Sequence, residues 1–174
     1  MNLIMLFYKY SCIYKLTLYF YNILFTYLLL YLYLLYLPMY MNEHWGNIIW
    51  LFVHVLVENI NADAFNTCKG DVIDLINYIC ENLPCNICSV HYKTKYCIQH
   101  DEIFHIEGLK TRLWAIHNAV NIDRRAATYK YTILKRYAEY CFQDVYDDFY
   151  KKTDRYKSMD FKIIEKHLAA IKLR

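Results

Sequence analysis

The chain has 174 residues, 57% of them hydrophobic, and a formal net charge of +3. That is ample apolar material for the core of one domain, and too little positive charge to point to nucleic acid. Its seven cysteines are odd in number and only Cys85 and Cys88 share a motif spacing, unlike the disulfide framework of a small secreted protein. With three glycines, two prolines and long stretches of 3.6-residue periodicity, the expectation is an all-α fold.

Residues 1–40 differ from everything that follows, because no charged residue occurs between Leu16 and Met41. Leu18 to Leu37 has the length and hydrophobicity of a bilayer-spanning helix, with Lys9 and Lys15 favouring a cytoplasmic N-terminus. The alternative is that AT-rich DNA encodes Leu, Tyr, Ile, Phe, Asn and Lys by default, and that translation starts at Met39 or Met41.

From His44 an amphipathic helix carries Trp45, Ile49, Phe52, Leu56 and Ile60 on one stripe and Trp50, His54 and Val57 on a second. Taken alone, the tryptophans read as packing anchors and His54 as a satisfied boundary residue. Asn59 to Thr67 reads as a loop, and a second helix is expected from Lys69 to Asn82 with Val72, Ile76, Ile79 and Leu83 buried and Cys80 acting as a small hydrophobe.

The stretch Leu83-Pro84-Cys85-Asn86-Ile87-Cys88-Ser89-Val90-His91-Tyr92 carries the most chemistry. If Pro84 opens a third helix running to about Cys97, Cys85 and Cys88 share a face with Cα atoms roughly 5 to 6 Å apart, within disulfide reach. Free N–H groups at that helix end favour a thiolate. The same residues also open a zinc pattern, Cys85, Cys88, Cys97 and His100, so redox pair, zinc site and structural disulfide all stay open on spacing alone.

Gln99 to Gly108 reads as a loop, and a fourth helix follows from about Leu109 to Ile122. Leu109, Leu113, Ile116 and Val120 form its core stripe, while Trp114, His117, Asn118 and Asn121 align beside it at i, i+3, i+4 and i+7. Three polar groups in a row usually mean a solvated face, but the Trp among them suits a covered site for a planar polar ligand. Arg124 and Arg125 sit at the end of this helix, a basic and aromatic run follows through Tyr129 and Tyr131, and the charged stretch beyond Cys141, with a last helical pattern at Phe161 to Leu173, reads as a peripheral appendage.

Together, Trp45-Gly46 with Trp50 and His54, the Cys85-x-x-Cys88-x-x-His91-Tyr92 run, and Trp114-x-x-His117-Asn118-x-Val120-Asn121 resemble the Erv/ALR family of FAD-linked sulfhydryl oxidases, most closely the small forms encoded by large DNA viruses. The resemblance covers about Glu43 to Tyr131 and favours redox over zinc. It implies a four-helix bundle plus a short fifth helix, flanked by the N-terminal hydrophobic helix and a C-terminal helical extension. Residues 41–135 would form the FAD-binding oxidase domain and 136–174 the extension. The same likeness implies a homodimer in the host-cell cytoplasm or virion, membrane-associated if residues 1–40 are translated.

By motif, Cys85 and Cys88 would be the catalytic pair. Trp45, Gly46, Trp50, His54, His91, Tyr92, Trp114, His117, Asn118, Val120 and Asn121 would hold FAD. Where relatives carry a Lys near the cofactor phosphates this chain has Arg124 and Ala126, so Arg124 or Arg125 is the substitute cation, and Tyr131 stands nearest to the usual adenine Trp. The implied reaction transfers electrons from a thiol protein, or a small relay thiol protein, through the cysteine pair and FAD to oxygen, giving hydrogen peroxide. No second shuttle pair is evident among Cys12, Cys68 and Cys141. The competing reading is a non-enzymatic, zinc-stabilised helical protein-binding module. A third is a relative that keeps FAD without turnover.

Overall fold

A computed structural model describes residues 24–31 and 43–174, with side chains from Trp45 onward in the second stretch. Residues 24–31 are helical, with Leu24, Phe25, Tyr27, Leu28, Leu29, Leu30 and Tyr31 all exposed. The rest of the expected 18–37 span lies outside the described residues, among which no helix is long and apolar enough to cross a membrane.

Residues 43–174 form helices α1 (Glu43–Glu58), α2 (Phe65–Glu81), α3 (Asn86–Lys95), α4 (Ile106–Asp123), α5 (Leu134–Tyr137), α6 (Phe142–Thr153) and α7 (Phe161–Ala170), with short 3-10 turns at Ala62–Ala64, Tyr131–Ile133 and Asp154–Tyr156. The fold is all-α, as the periodicity implies; among the described residues the nearest thing to a strand is one isolated bridge between Ile60 and Leu173. From Ile48 to Val57 almost every α1 side chain is buried, which is the mark of a helix covered on all sides. Its neighbours are α4, α5 and α6, while α2 packs on α3 and α7.

Helix α2 begins four residues before the expected Lys69. Asn61 caps the preceding 3-10 turn by accepting from Asp63 N at 3.0 Å, and Phe65 and Cys68 are already core residues. The Asn, Asp and Ala composition that reads as a loop is a helix start instead. Helix α4 likewise begins at Ile106, because His105 serves as its N-cap, with Nδ1 accepting from Gly108 N at 2.9 Å. Lys110, buried between α1 and α4, reaches Glu58 and Glu107 at 2.9 Å each, which keeps its charge paired inside the fold.

Residues 136–174 are not peripheral. Val145, Phe149 and Thr153 fall at i, i+4 and i+8 and are all buried, and Phe149 stacks on Phe52 of α1 with centroids 4.3 Å apart. Ile164 of α7 is fully buried, and His167 reaches Asp71 of α2 at 3.0 Å. The last residues return to the α1–α2 turn, where Asn61 N donates to Lys172 O at 2.9 Å and Arg174 N to Asn59 O at 2.8 Å. The charges of this stretch line the solvent side of an ordinary amphipathic pair.

Candidate redox and cofactor site

The Cys85-x-x-Cys88 pair sits at the tip of α3 as a disulfide, with Cα atoms 5.2 Å apart. Pro84 lies one residue outside the helix rather than opening it: Cys85 is the N-cap, its backbone extended at φ −116°, and its Sγ accepts from Cys88 N at 3.2 Å. A sulfur here does the work that Ser or Asp usually does at this position. Ser89 adds a hydrogen bond from Oγ to Cys85 O at 3.2 Å, fixing the first turn. The helix stops at Lys95, two residues short of the expected end, with Tyr96 N donating to Tyr92 O at 2.8 Å.

The neighbours of α3 reveal which way the pair faces. Cys88 and His91 share a helix face at i and i+3. His91 Nε2 lies 3.7 Å from Asp123 Oδ2, the last residue of α4, and the same carboxylate accepts from Lys95 and from Tyr96 OH at 2.9 Å each. Those hydrogen bonds hold the Asp123 carboxyl below its usual range. The face of α3 bearing Cys88 is therefore tied to the C-terminal end of α4. Beyond it, a Cβ placed on Gly46 of α1 would lie 3.8 Å from the Arg124 guanidinium, so α1's first turn approaches the same end. Trp45 is buried beside Gly46, and its Nε1 donor has no hydrogen-bond partner.

A second group of expected residues forms a column of flat rings. Trp50 and His117 stack with centroids 4.2 Å apart and planes within 5°, and His54 stacks on Tyr137 of α5 at 4.6 Å and 7°. His54 Nε2 and His117 Nδ1 are 3.2 Å apart, so one donates and the other accepts, which requires the accepting nitrogen to be unprotonated. Burial, with His117 alongside, lowers His54 to about 3, and burial lowers His117 to about 4.

Trp114, Asn118 and Asn121 share a face as expected, but what they hold is backbone. Trp114 Nε1 and Asn118 Nδ2 donate to Tyr129 O at 2.8 and 2.9 Å, Tyr129 N donates to Asn118 Oδ1 at 2.8 Å, and Asn121 Nδ2 donates to Ala127 O at 3.0 Å. Tyr131 meets Trp114 edge-on and lies 3.1 Å from Thr111 Oγ1. The chain turns back through a Schellman cap, with Ala126 N donating to Asn121 O at 2.8 Å and Arg125 N to Ile122 O at 2.9 Å. That cap puts Arg125 at φ 56°, a conformation usually left to Gly. Val120 packs against the core, and Arg124 is exposed at the helix end.

Tyr92 stands apart from both groups. It is buried, and its hydroxyl donates to Asn77 Oδ1 of α2 at 2.7 Å. Asn77 also holds Ile98 through both its N–H and its C=O, at 3.1 and 2.9 Å, so one side chain pins α3 and the following turn onto α2. Burial drives Cys80 up to about 12, which suits a packed hydrophobe rather than a nucleophile. The four residues of the zinc pattern are not gathered. Cys85 and Cys88 bond each other, Cys97 lies 3.9 Å from Glu81, and His100 pairs with Asp74 at 2.9 Å. Among the described residues no group of three or more His, Cys, Asp or Glu is arranged to hold a metal.

Asp123, Asn77 and Tyr137 escape a reading of the sequence, because each acts through a partner far along the chain and has no local spacing signal. Comparison with protein-family models, with curated proteins and with solved structures finds no match to this chain.

Proposed function

We propose that this chain is an FAD-dependent thiol oxidase of the Erv/ALR type, with α1 to α4 as the four-helix bundle, α5 as the short fifth helix and a homodimer as its working state. One observation carries the reading. A surface disulfide at a helix tip shares its face with His91, and that face is tied to the end of the helix bearing the Trp114, His117, Asn118 and Asn121 row. The residues present suit a flavin: Trp45 Nε1 is a buried donor lacking a partner, and flat neutral rings stand on α1, α4 and α5. Trp45, Gly46, Trp50, His54, His91, His117, Val120 and Arg124 would line it. Trp114, Asn118, Asn121 and Tyr131 would shape its wall through the Ala127–Tyr129 segment, and Tyr92 would set the pitch of α3 through Asn77.

Bound FAD would take up two electrons from the reduced cysteine pair and deliver them to oxygen, giving hydrogen peroxide. The chain's own sulfurs do the rest. A substrate thiolate attacks Cys85 Sγ, forming a mixed disulfide and leaving Cys88 as the thiolate; the second substrate thiol then attacks the substrate sulfur and releases Cys85. The N–H groups of α3's first turn stabilise the sulfur that carries the charge at each stage.

The purified full chain is expected to be yellow with a flavin spectrum and to consume oxygen when given dithiothreitol. A colourless protein that takes up no FAD and consumes no oxygen overturns the proposal.

A further inference from the structure

Residues 124–138 contain five cations, Arg124, Arg125, Lys130, Lys135 and Arg136, and no acid. All five are exposed, and none has an ion-pair partner among the described residues. Asp123, the acid just before them, is already engaged by Lys95 and Tyr96. The charge that is modest over the whole chain is therefore concentrated on one strip, where it makes a strong local field. The strip is held in place. Asn118 and Asn121 bond its backbone at Tyr129 and Ala127, Tyr131 OH lies 3.1 Å from Thr111 Oγ1, and Lys135 and Arg136 sit on α5, which packs on α1. The electrostatic neighbours of Tyr137 are Tyr129, Tyr140 and Arg136, so the 129–131 and 136–140 stretches lie side by side. Around the cations Tyr129, Tyr131 and Tyr140 are exposed, and so is Ile122, at 65%.

We propose that this strip rests on the anionic headgroups of a lipid bilayer, with Lys130, Lys135 and Arg136 on the lipid phosphates and carboxylates and the tyrosine rings at headgroup level. Each Lys or Arg near such a surface raises affinity roughly fivefold, and Tyr is a residue of the membrane–water boundary. A single-stranded nucleic acid would also take cations and rings, but it has no use for an exposed aliphatic Ile122, which a bilayer covers. A bilayer likewise suits the exposed apolar helix at 24–31 of the same chain. Because the strip is already fixed on α4 and α5, contact costs little further ordering. The contact is made by the folded unit and is separate from any span through residues 18–37. It also stands apart from the oxidase reading: Arg124 is left to the flavin, and none of Lys130, Lys135 and Arg136 lines it.

The test is lysine footprinting of the full chain on vesicles, read by acetylation and mass spectrometry at about 0.15 M salt. Vesicles of phosphatidylcholine alone are compared with vesicles carrying about a quarter phosphatidylserine. Acetylation of Lys130 and Lys135 is expected to slow about fivefold on the anionic vesicles only, while the exposed Lys151 and Lys166 of α6 and α7 react alike on both. Equal slowing of all four lysines, or the same pattern on neutral vesicles, overturns the proposal. The triple variant Lys130→Gln, Lys135→Gln, Arg136→Gln changes only exposed side chains, and is expected to lower the ratio of anionic to neutral vesicle partitioning about a hundredfold. An unchanged ratio overturns it. Protection of Lys130 and Lys135 by a single-stranded oligonucleotide at the same salt, without vesicles, overturns it in favour of a nucleic acid.

Discussion

The tip of α3 and the ring column between α1, α4 and α5 are built on opposite principles. The sulfur pair lies on a ten-residue helix, half-buried, with exposed Asn86, Ile87 and Val90 around it. The column is deep, with His54 3% exposed and its rings stacked within a few degrees. On the proposed reading, chemistry that must meet a second molecule would be kept at a surface on a short, locally capped element, and binding that must be ready beforehand where packing fixes each rotamer. Damage at the tip should therefore change reactivity with little effect on stability, whereas damage at the column should lower stability and, on the proposed reading, flavin binding with it.

The sharpest break is Cys88→Ser. It removes the sulfur that leaves as thiolate, so oxygen consumption with dithiothreitol is expected to fall by roughly three orders of magnitude or more while bound flavin absorbance persists. Loss of flavin together with activity would merge the two regions.

Acid should act on the column instead. His54 and His117 are held well below the ordinary histidine range, at about 3 and about 4, so the folded state binds fewer protons than the unfolded one below the unfolded pKa. Their contribution is intact above about pH 6.5 and is lost as the pH falls toward 4. From pH 7 to 5 the cost is about 2 kcal/mol for each histidine, read as a drop in urea-unfolding free energy that His54→Phe halves. A flat profile would mean that the rings are not buried together.

Asn77→Ala tests what anchors the tip to the body. It strands the Tyr92 hydroxyl and both backbone groups of Ile98, at a cost of about 2–4 kcal/mol in chemical denaturation. The smallest effect expected is from Arg125→Gly, which relieves a left-handed backbone and should stabilise by about 1 kcal/mol. The same variant sharpens the comparison if flavin affinity drops while stability rises, since the strain would then be serving the anion side of the site.

The periodicity of Trp45, Ile49, Phe52 and Leu56 marks α1 unmistakably, and the three-residue cysteine spacing puts Cys85 and Cys88 within disulfide reach while leaving zinc equally open, since both depend on local helical geometry. The early starts of α2 and α4 are less legible. Asn61 and His105 supply caps from residue types that equally mark loops, and Gly108 reads as a stop where it is a first-turn residue. The stripe of Val145 and Phe149 is present in the sequence but diluted by Asp and Lys on the outer side. The paired roles of Asn118 and Asp123 are set by chain segments that only tertiary folding brings near, Tyr129 in one case and Lys95 and Tyr96 in the other.

Because Cys85 Sγ both closes the sulfur bridge and terminates α3 by accepting from Cys88 N, opening that bridge changes the quality of the helix end. A released thiolate is a stronger acceptor than a bridged sulfur, so the reduced protein gains a better cap than the oxidised one. Oxidising power and secondary structure are thus linked through a single atom: whatever strengthens that cap makes the bridge readier to give itself up to an incoming thiol.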